Sequence, residues 1–214
     1  MIVYGSTISP FVRKVHVVAA EKGIEITPQV INPTQPDPEF LACSPFRKIP
    51  AIRDGDFTLS DSTAIVHYME ALKPQPAMIP AEAKARARTV WFEEYADTIL
   101  VAVGAKMFFN RVVAPRFLKR DGDLAAADKA ERDELPPILD YIEKVLPKSG
   151  WLVEDRLTLA DIAVASPFAN FRHLGLDLGL ERRPRLAAFI DRMLERPSFK
   201  SWIDRETAFL ARAA

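Results

Sequence analysis

Ser9 and Pro10 place a hydroxyl directly ahead of a proline, after the apolar run Ile2-Val3-Tyr4 and before Phe11, Val15, Val18 and Ala19 at helical spacing. Proline suits the first position of a helix because its missing N–H would be unpaired there in any case, so Ser9 falls at the cap, beside the partly positive helix end. A donor and a dipole aimed at one point suit a sulfur anion. A free thiol has a pKa of about 8.5, and lowering it by ~2 units takes ~2.7 kcal/mol. A hydrogen bond to a charged group supplies ~1.5–3 kcal/mol and a helix terminus up to ~2 more. The hydroxyl then only donates, so it needs no histidine or carboxylate partner and is not a hydrolase nucleophile. The same residues also permit the simpler role of a serine that caps its own helix.

Two later segments lie between strand and helix signals: Arg47-Lys48-Ile49-Pro50-Ala51-Ile52 and Ser60-Asp61-Ser62-Thr63-Ala64-Ile65. With the segment around Ser9, in this order and spacing over nearly the whole chain, they resemble the glutathione S-transferase family. The resemblance implies an α/β thioredoxin-like N-terminal domain that binds glutathione as co-substrate, and an all-α C-terminal helical domain that supplies the second substrate's site. It makes Ser9 the catalytic donor to the glutathione thiolate, with Phe11, Lys48, Ile49, Pro50, Asp61 and Ser62 as glutathione-binding residues. Pro50 matches the family's cis-proline, which would turn the Ile49 N–H and C=O outward to pair with an extended peptide; a bare proline is more often trans. Lys48 stands where the family often offers a cation to the glycine carboxylate. Asp61 and Ser62 resemble its acidic-Ser pair, Ser62 and the helix start taking the γ-glutamyl carboxylate and Asp61 the α-ammonium. Asp61 replaces the commoner Glu, with a reach shorter by one methylene, and an ordinary N-cap is its alternative role.

Tyr4 and Thr7 are rival hydroxyls, and Tyr4, inside the strand, ranks below Ser9. The electrophile site is implied to lie between the first domain and the first long helix of the second, with Tyr95 and Phe108 offering an apolar wall; such a stripe is also what a helical core looks like. Leu157-Thr158-Leu159-Ala160-Asp161-Ile162 reads as a capping box with a hydrophobic staple, a folding device without chemistry.

The elements that must hold these residues follow from periodicity. Ile2–Tyr4 and Ile24–Ile31 read as strands around a helix closed by Gly23, a βαβ unit. Asn32–Asp37 reads as a loop, Pro50–Arg53 and Phe57–Leu59 as a hairpin on Asp54-Gly55, and Ile65, Met69 and Leu72 as one face of a closing helix. Pro74, Pro76 and Pro80 break the chain, giving domains at 1–74 and 82–214 with a linker at 75–81. Helices are expected near Ala83–Val112, Asp123–Val145, Leu159–His173, Arg185–Glu195 and Ser198–Ala211.

Lysine plus arginine equals aspartate plus glutamate at 29 each, so no electrostatic footprint points to nucleic acid or an anionic membrane. No uninterrupted apolar run approaches a span, the first residues lack a secretion signal, and a single cysteine fits a reducing compartment, so a cytoplasmic protein is expected. The three histidines have no spacing for a metal and no phosphate loop is present, so neither metal nor nucleotide is expected. The resulting reading is a homodimeric transferase of the detoxification type that joins glutathione to a small hydrophobic electrophile. Its alternatives are a non-catalytic glutathione- or ligand-binding module and a glutathione-dependent peroxidase.

Overall fold

Across the first part of the chain, strands and helices alternate as the apolar spacing requires, and the computed structural model describes residues 1–32 and 37–212. The chain forms two compact units, Met1–Ile79 and Pro80–Ala214. In the first, β1 (Ile2–Tyr4), α1 (Pro10–Lys22), β2 (Thr27–Gln29), α2 (Pro38–Cys43), β3 (Ala51–Asp54), β4 (Phe57–Ser60) and α3 (Ser62–Leu72) follow in order. The sheet runs β2-β1-β3-β4, with β1 and β2 parallel and the other neighbours antiparallel. Tyr4 and Ala51 share one face with Phe40 and Cys43 of α2 in a closed core. Val3 and Ile52, opposite each other in register and fully buried, point to the other face. There α1 packs against α3.

Local chemistry explains where the elements depart from expectation. The second strand is three residues rather than eight, and Pro28 at its centre has no N–H for a ladder, which confines it to the sheet edge. α2 follows directly on the expected loop: Asp37 Oδ1 accepts the Glu39 N–H at 2.8 Å and Pro38 opens the helix. Positions 33–36 of that loop lie outside the described residues. Leu72, expected on the buried face of α3, ends the helix and is 54% exposed. The segment expected as a linker is tied to the first unit. Lys22 Nζ donates to Pro76 O at 2.8 Å and pairs with Glu70 at 2.6 Å, while the Glu70 carboxylate accepts the Met78 and Ile79 N–H groups at 3.1 Å.

The second unit is helical: α4 (Ala83–Phe117), α5 (124–145), α6 (Leu159–Leu174), α7 (Pro184–Leu194) and α8 (Pro197–Arg212). α4 runs five residues beyond the expected Val112. Pro115 would block an α-helix through its ring and its missing N–H. Residues Phe109–Phe117 instead widen into π-helical turns, with Leu118 N–H reaching Val113 O at 3.1 Å. No uninterrupted apolar run spans a membrane, yet α4, interrupted by charged residues, is long and apolar enough to cross one by length and composition. In this fold its apolar side is core, with Phe92, Tyr95, Leu100, Met107 and Phe108 buried. α6 is buried from Leu159 to Phe171, the polar Asp161, Ser166 and Asn170 included.

The capping box at the start of α6 is present and carries an additional bond. Asp161, fully buried, accepts the Thr158 N–H and hydroxyl on Oδ2 at 2.9 and 3.0 Å, and the Leu152 N–H on Oδ1 at 2.9 Å. Burial raises its carboxyl pKa above the ordinary range, while the donated hydrogen bonds pull the other way. Asp161→Ala leaves two buried N–H groups unpaired and is expected to lower unfolding free energy by roughly 2–4 kcal/mol in urea titrations. Because the folded state holds this proton to higher pH than the unfolded chain, the Asp161 contribution declines as pH rises from the ordinary carboxylate value through the raised one. Asp161→Asn should remove that slope from stability measured against pH.

Candidate active site

The register of the sheet assembles the site. Tyr4, Ala51 and Ser60 form one row across β1, β3 and β4, so the residues just beyond them, Gly5, Pro50 and Asp61, share one edge of the first unit. Pro50 O accepts the Asp61 N–H at 3.3 Å, tying the second motif to the third. Gly5, at φ 127°, ties the first to the second: a Cβ there would lie 2.8 Å from Val12 Cγ2 and 3.0 Å from Ile49 Cβ. Sequence reasoning missed Gly5, although a lone glycine between a strand and a cap signals close backbone approach.

Ser9 caps α1 in extended backbone at φ −71°, ψ 124°, with Pro10 in the first turn. Its N–H goes to Ser6 O at 3.0 Å and its C=O accepts the Arg13 N–H at 2.9 Å, yet its side chain makes no capping hydrogen bond. The half-exposed Ser9 side chain is thus not used by its own helix. Phe11, half-exposed, follows in the first turn. Tyr4 is fully buried on the α2 face, its hydroxyl 3.5 Å from Glu39 Oε2, whereas Thr7 is half-exposed in the Ser9 loop.

The Ile49–Pro50 peptide is cis. The Ile49 N–H and C=O make no hydrogen bond among the described residues. The preceding loop is shaped by Ser44, a buried residue the sequence reading overlooked: its Oγ donates to Lys48 O at 2.7 Å and accepts the Lys48 N–H at 2.9 Å. The Lys48 side chain is exposed.

Asp61 takes the capping part and leaves one oxygen free of it. Oδ1 accepts the Thr63 and Ala64 N–H groups at 2.9 and 3.1 Å, capping α3, while Oδ2 has no partner among the described residues. One carboxylate oxygen therefore remains for a cation beside the helix start, where Ser62 is 3% exposed. Asp61 holds φ 85°, ψ 131°, a left-handed region that costs a non-glycine residue about 1–3 kcal/mol.

The expected electrophile wall is not formed as a pair. Tyr95 is 4% exposed and its hydroxyl donates to Ile138 O at 2.9 Å; burial raises its pKa far above the ordinary value. Its ring lines a groove of about 290 Å³ with Trp91, Ile99, Pro137, Ile138 and Tyr141. Phe108, thirteen positions on and 6% exposed, lies about 20 Å further along α4 and is not part of that groove. The burial of both rings serves the core of the helical unit.

A cis-proline loop, a serine at a helix start and a capped acidic turn thus lie at one end of a thioredoxin-like sheet. Family models of the glutathione S-transferase N-terminal and C-terminal domains match residues 3–77 and 108–206. Glutathione S-transferase 3 of Zea mays is 31% identical over 94% of this chain and 91% of its own length. A stringent starvation protein A homolog of Coxiella burnetii is 22% identical over 94% and 90%. Among solved structures, a glutathione S-transferase from Rhodospirillum rubrum superposes with TM-score 0.85 at 25% identity over 94% of this chain and 90% of that one. One from Methylobacterium radiotolerans, in complex with glutathione sulfonate, has TM-score 0.76 at 26% identity over 94% and 93%. The chain belongs to the glutathione S-transferase family.

Two substitutions test this geometry without any ligand. Gly5→Ala forces Val12 or Ile49 to shift at a strained φ and is expected to lower unfolding free energy by roughly 1–3 kcal/mol. Asp61→Gly should be less damaging than Asp61→Ala, because it loses the cap but relieves the positive φ; urea unfolding of the two variants reads the difference.

Proposed function

We propose that this chain is a glutathione transferase in which the Ser9 hydroxyl donates to the glutathione thiolate, which attacks an electrophilic carbon to give a thioether. The observation that carries this reading is that Ser9 occupies the cap of α1 while its side chain makes no capping bond. A thiolate there would receive that hydrogen bond and the field of the helix start together. The unpaired Ile49 backbone suits the cysteinyl segment, Lys48 the glycine carboxylate, the Ser62 helix start the γ-glutamyl carboxylate, and Asp61 Oδ2 the α-ammonium. Phe11, beside Ser9, adds apolar contact. The glutathione sulfonate complex of the Methylobacterium relative supports glutathione as the thiol.

Ser9→Ala is expected to lower kcat/KM for conjugation at neutral pH by about 10- to 100-fold, the loss of a hydrogen bond to a charged group. The pH–rate midpoint should move up toward the free thiol while retention on immobilised glutathione persists. Full activity in the variant would transfer the role to Thr7.

A second reading, a glutathione-binding module without turnover, is favoured by the Coxiella relative, whose name is that of a starvation protein and not of a transferase. Retention on glutathione without conjugation of a chloronitrobenzene would select it. Turnover of a hydroperoxide in place of the chloroarene would select the peroxidase variant, in which the same thiolate attacks oxygen.

A soluble, cytoplasmic homodimer completes the proposal. Phe46, 85% exposed in the loop before Lys48, is a large apolar side chain that a second copy would cover. Phe46→Ser should shift the mass in size-exclusion light scattering from two chains toward one.

A further inference from the structure

Every hydrogen-bonding group of Ser44 is engaged within a few residues of the first unit. Its N–H closes α2 on Phe40 O at 2.8 Å and its C=O accepts the Arg47 N–H at 2.9 Å. Its hydroxyl donates to Lys48 O at 2.7 Å while accepting the Lys48 N–H at 2.9 Å. The residue is 1% exposed and follows Cys43, which lies in the closed core with Tyr4, Phe40 and Ala51. Ile49, on the far side of the loop, packs against that same core. The 45–48 segment is thus anchored at both ends, and its side chains are exposed. Within it Arg47 holds φ 57°, a left-handed conformation that a residue with a side chain keeps only where its surroundings impose it. The bonds that impose it are those Ser44 makes to Arg47 and Lys48.

The Ser44 hydroxyl takes the place that a neighbouring strand would have. It occupies both backbone groups of Lys48 and leaves those of Ile49 as the next to be paired. An extended peptide can therefore pair with the loop at Ile49 and not at Lys48, which meets the peptide with its side chain alone. Resting on the glutathione reading above, we propose that Ser44 is a positioning residue for the glycine end of the thiol peptide. It does not touch the peptide. It fixes the Lys48 backbone, so that the ammonium faces the glycine carboxylate in the one register that Ile49 permits. A lysine stem is flexible, and holding its Cα beforehand leaves less freedom to lose on binding.

The test compares calorimetric Kd values for glutathione and for its glycine ethyl ester, in which that carboxylate is neutral. The native chain should bind glutathione about tenfold more tightly than the ester, a difference of about 1.4 kcal/mol. Ser44→Ala should bring the ratio toward one by weakening glutathione alone, and adding Lys48→Ala should change it no further. In conjugation assays the same variant should raise KM for glutathione and leave kcat within about twofold. Where Ser44→Ala fails to fold, Ser44→Cys, of similar shape but with only a weak donor and acceptor, carries the same comparison. A ratio that the Ser44 variant leaves intact, or a loss equal for both compounds, overturns the inference, as does a native ratio of one; each spares the transferase reading. Discriminating binding without turnover rejects the transferase and upholds the role of Ser44, whereas binding of neither compound overturns both.

Discussion

The strand register that sets Tyr4, Ala51 and Ser60 in one row is the constraint on which the rest depends. Strand pairing admits no intermediate register, since a shift of one residue turns every side chain to the opposite face. A slip would send Tyr4 and Ala51 out of the α2 core and Val3 and Ile52 into it. The same register that buries this core therefore aligns three loops distant in sequence at one sheet edge. Gly5 allows two of them to touch, and the Pro50 O to Asp61 N–H bond joins the third. Fold stability and site geometry are in this sense one property.

Most of the first unit was legible because its signals are local. The Ser9-Pro10 start, the Gly23 stop, the Asp54-Gly55 turn and the Asp61 cap each depend on a few adjacent residues. What escaped was non-local. The truncation of β2 around Pro28 depends on which strand lies at the edge, and Ser44 acts only through a loop that closes on it. The cis peptide before Pro50 followed from family resemblance alone, because nothing in a bare Ile-Pro pair selects it.

In the helical unit, periodicity located the helices but could not sort exposed rings from buried ones on α4. A strict 3.6-residue period fails there, because π-helical turns at Ala96–Leu100 and Phe109–Phe117 rotate the later side chains relative to the earlier. Phe108 is buried and its neighbour Phe109 is partly exposed. The capping box at Thr158 and Asp161 was fully legible, whereas its third donor, the Leu152 N–H, comes from a loop nine positions earlier.

The fastening of Pro76, Met78 and Ile79 to Lys22 and Glu70 also bears on how such a chain can be recombined. Lys22 has a fully buried side chain whose ammonium is satisfied by Glu70 and by the carbonyl of Pro76. A crossover at Lys73 would strip that carbonyl away and leave part of a buried charge unanswered. A crossover after Ile79 carries the whole arrangement along. The viable seam for exchanging one helical half for another therefore lies beyond the prolines at 74 and 76, and the N-terminal half travels with its own tail attached.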